Sequence, residues 1–171
     1  GTELLINKSM TIAGPGTNLL TISGNNASRV FSINSTSIAL SGMTITGGNG
    51  VGATESGNGG AIFSSASDVT ISRCNITLNA ATNGGAGGGI LATAGNSSGL
   101  VILRSTISGN SASTGGGIAS GSDLLQLSNS TVSGNASTVS NVDAVGGILT
   151  AFGSASIIGS TITNNSAAGI G

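Results

Sequence analysis

The sequence predicts an all-β fold, a parallel β-solenoid of about six coils with three short strands in each. Three observations predict it. One short phrase recurs six times, its central aliphatic falling at Ile22, Ile45, Ile76, Ile107, Val132 and Ile162, at intervals of 23, 31, 31, 25 and 30 residues. Other aliphatics stand at every second residue before it, the period of a strand with one buried face. A glycine pair or triplet with a following isoleucine separates consecutive phrases. A fixed phrase at variable spacing is what stacked strands joined by loops of different length produce.

The phrase itself supplies one strand per coil. It reads Leu20-Thr21-Ile22-Ser23-Gly24-Asn25 at first and Ser160-Thr161-Ile162-Thr163-Asn164-Asn165 at last. A second strand precedes it. Leu40, Ile71, Ile102, Leu127 and Ile157 stand five residues before the central aliphatic, with Ile38, Val69, Leu100, Leu125 and Ala155 two residues earlier. The third strand starts at the glycine-isoleucine signal: Ile62, Ile90, Ile118 and Ile148. Spacings of three and four, which an amphipathic helix needs, are absent. The reading gives a single domain, residues 1–171, with coils at 1–22, 23–45, 46–76, 77–107, 108–132 and 133–162, a partial coil at 163–171 and a loop insertion at 47–60.

Two columns mark the corners. Cys74, Ser105, Ser130 and Ser160 stand two residues before the central aliphatic, where small side chains face inward, and Cys74 reads as a buried structural thiol. Asn79, Asn110, Asn135 and Asn165 stand three residues after it and predict an asparagine ladder, each amide bonding to the next coil. Asn also tolerates the left-handed backbone of a sharp corner.

Composition narrows the function. With 5% charged residues, 2% aromatics and a formal net charge of −1, the chain offers neither a basic stripe nor stacking rings for nucleic acid. Hydrophobic residues make up 37%, too many for a disordered segment. No apolar run approaches the eighteen residues of a membrane span. A lone Cys74 excludes an internal disulfide framework and a cysteine-only zinc site.

These motifs resemble those of the bacterial right-handed β-helix repeat proteins of the pectin-lyase-like superfamily. Gly59-Gly60-Ala61-Ile62 followed by Ile76-Thr77-Leu78-Asn79 is similar to the paired GGAI and FxxN motifs of polymorphic outer-membrane proteins, with Ile or Val in place of the Phe. The resemblance implies a right-handed coil and a secreted or bacterial-surface setting, any export signal or anchor lying outside this chain. Lyases, hydrolases, adhesins and passive stalks all occur on the fold, so function has to come from the residues.

The acids are Glu3, Glu55, Asp68, Asp123 and Asp143, and the bases Lys8, Arg29, Arg73 and Arg104. Asp68 and Asp123 are expected to begin equivalent strands two coils apart, but nothing near them in sequence would raise one carboxyl, and two solvated turn residues is the better account. Arg73 and Arg104 are expected to stack in adjacent coils, as solvated surface or as a grip on an anionic sugar or sulfate. No catalytic, cofactor or metal site is expected.

The leading expectation is a non-enzymatic extracellular structural module, stacking head to tail as a homo-oligomer by β-strand addition or forming part of a longer repeat protein. Leu4, Leu5 and Ile6 at one end, and Ile162 and Ile170 at the other, would form the joints. Ile6 and Ile170 are assigned to the glycine-isoleucine column. The alternatives are ice binding through an outward face of Thr21, Thr44, Thr46, Thr77, Thr106, Thr131, Thr161 and Thr163, or adhesion to a glycan or host, with 47–60 as a lateral contact loop and an outward patch of Val101, Leu103 and Ile158.

Overall fold

The computed structural model describes residues 2–35, 37–66, 68–93, 99–140 and 144–168. The chain winds through six rungs. The first holds β1 (Leu4–Ile6), β2 (Met10–Ala13) and β3 (Thr21–Ser23); the second β4 (Phe31–Ile33), β5 (Ser37–Ser41) and β6 (Thr44–Thr46). The third holds β7 (Ile62–Ser64), β8 (Asp68–Ser72) and β9 (Asn75–Thr77). The fourth holds β10 (Ile90–Ala92), β11 (Gly99–Leu103), β12 (Thr106–Ser108) and β13 (Ser111–Ala112). The fifth holds β14 (Ile118–Ser120), β15 (Leu124–Ser128), β16 (Thr131–Ser133) and β17 (Ala136–Ser137). The last holds β18 (Ile148–Thr150), β19 (Ser154–Ile158), β20 (Thr161–Thr163) and β21 (Ser166–Ala167).

Equivalent strands pair in parallel from rung to rung, giving three six-stranded sheets. The third sheet carries the recurring phrase in register: Ile22, Ile45, Ile76, Ile107, Val132 and Ile162 are successive partners. The second aligns Ile12, Leu40, Ile71, Ile102, Leu127 and Ile157. Alternation then sends both columns inward, where Leu40, Ile71, Ile102, Leu127, Ile45, Ile76, Ile107 and Val132 are all buried. These strands are short and aliphatic because the interior is narrow, and β-branched residues pack well on its pleated walls.

Three features differ from expectation. A fourth, three-stranded sheet joins β13, β17 and β21, because small Ser and Ala residues after the asparagine ladder run straight enough to pair. In the first rung a detour at residues 14–20 moves the second-sheet aliphatic back to Ile12, ten residues before Ile22 rather than five. The glycine-isoleucine column begins with Leu4, paired to Phe31 and through it to Ile62, so Ile6 lies two residues beyond the column assigned to it.

In rungs two to five the first sheet also buries its outward residues. Phe63, Leu91 and Ala119 form a small second apolar cluster outside the solenoid wall, with Ala86 and Leu149 against it. Tight glycine turns lead into these strands. Gly59, Gly87 and Gly115 adopt positive φ of 56°, 67° and 59°, which only glycine takes without strain.

Candidate functional site

The two end rungs differ from the middle. In the last rung the inward columns open to solvent, with Ile157 and Ile162 each 46% exposed, whereas their partners one rung earlier, Leu127 and Val132, are sealed. In the first rung Leu4 and Leu5 are exposed while Ile6 is buried. Ile170 lies outside the described residues.

The polar face of the third sheet is built from two outward columns. One runs Thr21, Thr44, Asn75, Thr106, Thr131, Thr161; the other Ser23, Thr46, Thr77, Ser108, Ser133, Thr163. The expected threonines therefore do share one face. Their hydroxyls are partly engaged: Thr44 Oγ1 donates to Thr17 O at 2.8 Å, bringing the detour at residues 14–20 to this face, and Ser108 Oγ lies 3.2 Å from Thr77 Oγ1.

The asparagine ladder is continuous. Asn79 Nδ2 donates to Asn110 Oδ1 at 3.0 Å, Asn110 Nδ2 to Asn135 Oδ1 and Asn135 Nδ2 to Asn165 Oδ1, both at 2.9 Å. Each Oδ1 also accepts the backbone N–H of the asparagine in the previous rung, all at 3.0 Å. Each amide additionally reaches back to a strand carbonyl, as Asn135 Nδ2 does to Ile107 O at 3.0 Å. The left-handed corner falls one residue earlier than expected, at Gly47, Leu78, Gly109, Gly134 and Asn164. The ladder residues are thus chosen for their amides, and the turn is made by their neighbours.

A second ladder, of hydroxyls, runs along the opposite corner. Ser105, Ser130 and Ser160 each accept the backbone N–H of the previous rung's column residue at 3.1 Å and donate to a carbonyl two residues back. Cys74 continues this column, with Sγ 3.4 Å from Ser72 O, and burial pushes its thiol up from the ordinary value. It is closed off from solvent, with 2% exposure.

Sequence reasoning missed Arg29. Its side chain has no solvent exposure, and it pairs with the nearly buried Glu3 carboxylate at 2.7 Å. Nε donates to Asn58 O and Gly59 O, and Nη2 to Gly50 O and Glu55 O. The guanidinium also lies over the Phe63 ring, 5.0 Å from its centre. Four carbonyls of the 47–60 loop therefore converge on one cation, so this loop is organised inward around Arg29. Removal from water lowers the Arg29 pKa; the Glu3 charge and hydrogen bond oppose that shift. No repeat column signals this residue, because it occurs once.

Asp68 pairs through Gly99 to Leu124, so Asp123 is one residue out of step with it and the two do not begin equivalent strands. The outward apolar patch is also split: Leu103 and Ile158 share a column with Ser128 between them, and Val101 stands in the next column. Arg73 and Arg104 do follow paired strand ends, Ser72 and Leu103, on adjacent rungs. Both are exposed, and both take left-handed backbone at φ 49°. Among the described residues no group of three or more His, Cys, Asp or Glu side chains comes together to hold a metal ion.

An apolar groove of about 400 Å³ lies outside the first sheet, lined by Leu91, Ala119, Leu149 and Phe152 among others. It continues the outward stripe that Phe63 fills one rung earlier. Compared with protein-family models, curated proteins and solved structures, the chain matches none. What the geometry establishes is a parallel β-solenoid with a buried asparagine ladder.

Proposed function

We propose that this chain is a non-enzymatic structural module of an extracellular assembly, one whose sheets are continued by further rungs. The single observation that carries the reading is the open last rung. Ile157 and Ile162 occupy columns that are sealed in the rung before, and each stands nearly half exposed. Fully burying an aliphatic side chain contributes about 1.5–3 kcal/mol, so covering both favours addition of another rung. The edges of β18, β19, β20 and β21 also each pair on one side only within their sheets, leaving a parallel template for strand addition. The added rungs come from a second copy or from more of the same polypeptide; either makes the module a length of rod. The extracellular setting rests on the motif resemblance to surface-exposed β-helix repeat proteins.

The test is negative-stain electron microscopy of the purified chain over a concentration series, with Ile157→Asp/Ile162→Lys as comparison. Fibres one solenoid wide, lost in the double variant, are the expected result. Compact monomers at every concentration would overturn self-stacking and leave only continuation within one polypeptide.

A second reading, ice binding, draws support from the two in-register hydroxyl columns of the third sheet. Thermal hysteresis abolished by Thr131→Tyr would support it, and hysteresis absent in the unmodified chain would end it.

A further inference from the structure

We infer that the corner holding Arg73 and Arg104 binds a sulfated polysaccharide. The argument begins with what the column contains. In rungs two to six the residue after the second-sheet strand is Gly42, Arg73, Arg104, Asn129 and Gly159, and all five adopt positive φ. Glycine and asparagine suit that conformation; arginine does not. Two adjacent rungs therefore carry a strained residue where their neighbours carry a fitting one.

The two arginines also stand side by side. Successive rungs sit about 4.8 Å apart, so their backbones repeat at that spacing. Neither guanidinium makes an ion pair or a side-chain hydrogen bond with any described residue, the one ion pair among those residues being Glu3–Arg29. Two neighbouring exposed cations with no paired acid among the described residues are free to take an incoming anion.

A groove of about 410 Å³ separates these cations from the polar face, lined by Thr17, Asn75, Thr106 and Ser108 as well as the two arginines. A second groove of similar size shares Arg73 and Thr17 and continues toward Pro15 and Gly42. Asn75 Oδ1 has no hydrogen-bond partner. The Thr106 and Ser108 hydroxyls and the Asn75 amide that line the groove are the hydrogen-bonding groups that sugar hydroxyls pair with. The two arginines require an acceptor group with more oxygens than one fork fills. A carboxylate presents its two oxygens in one plane, whereas a sulfate ester presents three in different directions, which suits two guanidinium forks reaching in from adjacent rungs. Hydroxyl donors together with sulfate oxygens define a sulfated polysaccharide. The two grooves in line give an extended chain room to pass the corner.

The experiment is affinity gel electrophoresis of the purified chain in gels containing dextran sulfate, polygalacturonate or unmodified dextran. Arg73→Gly/Arg104→Asn is the test variant, because Gly and Asn already stand in this column and adopt its backbone. Lys8→Gln is the charge control. Expected are retardation by dextran sulfate alone, at least tenfold weaker binding in the double variant, and no change in the control. No retardation by dextran sulfate, equal retardation of the double variant, or equal retardation by polygalacturonate would each overturn the inference. Inorganic sulfate competing as well per sulfate as the polymer would overturn it too, since the site would then hold a simple anion. Electron microscopy of the same double variant separates this site from rung stacking, which lies at the other surface.

Discussion

Glu3 and Arg29, 26 residues apart in the chain, meet at 2.7 Å with both side chains almost wholly removed from water. The pair joins the first rung to the 47–60 loop, since Glu3 Oε1 also accepts the N–H of Ala53 at 2.8 Å. Removing one partner strands the other charge in a dry site. Glu3→Ala is therefore expected to destabilise by about 3–5 kcal/mol, and Arg29→Met, which also strips four loop carbonyls of their donor, by at least as much. Urea unfolding followed by circular dichroism measures the difference. Limited proteolysis should cut Arg29→Met first within 47–60, whose carbonyls have lost their common donor.

Asn135 is the ladder residue with most to lose. Its side chain is sealed from solvent, and its amide makes two donated and two accepted hydrogen bonds, of which only the one to Asn165 is part-exposed. Asn135→Ala leaves groups unsatisfied on both neighbouring rungs, and a loss of about 3 kcal/mol or more is expected. Hydrogen exchange offers the sharper measurement. Protection should fall at Asn110, whose backbone N–H donates to Asn135 Oδ1, while rungs one and two keep theirs.

Leu78 is the bulky member of a corner column otherwise formed by Gly47, Gly109, Gly134 and Asn164. It sits at φ 56° and is 69% exposed, so it bears backbone strain with little burial in return. Left-handed backbone costs an L-residue roughly 1–2 kcal/mol, partly offset for glycine by the entropy it loses on folding. Leu78→Gly should stabilise the chain by about 1 kcal/mol, read as a higher urea midpoint with unchanged slope.

Cys74 sets an alkaline limit. Burial raises its pKa above the ordinary 9.0, so above that pH the unfolded thiol loses its proton before the folded one does. Its contribution is complete below pH 9.0 and is lost as pH rises toward the folded value. The chain has no His and no Tyr to obscure this range. Cys74→Ser, matching Ser105, Ser130 and Ser160, should fold and flatten the decline above pH 9.0. A thiol reagent should react with the unmodified chain only after unfolding.

Much of the architecture was legible because it repeats. Ile45, Ile76, Ile107 and Val132 recur in one phrase, and identical environments on successive rungs select identical residues. The ladder of Asn79, Asn110, Asn135 and Asn165 was legible for the same reason. What occurs once was not. Arg29 and Glu3 have no counterparts in other rungs, and apart from each other their hydrogen-bond partners are backbone groups, which leave no trace in residue identity. The hydroxyl ladder was obscured where Cys74 and Met43 replace serine, and β13, β17 and β21 were obscured by a composition that reads as loop. The Arg73 and Arg104 stack was legible from spacing, but the left-handed backbone beneath it was not, because an arginine gives no local sign of that conformation.

The strand-to-strand hydrogen bonds that join one rung to the next run along the solenoid axis. A pull on the two ends along that axis therefore loads the rungs in series, and each rung bears the whole force through only its own ladders. The rod would come apart like a coil unwound from one end. Rungs in the ladder are 25, 30 or 31 residues long, so each release would add roughly 100 Å of extended chain. Under tension the molecule would give up its length in roughly even steps, one rung at a time.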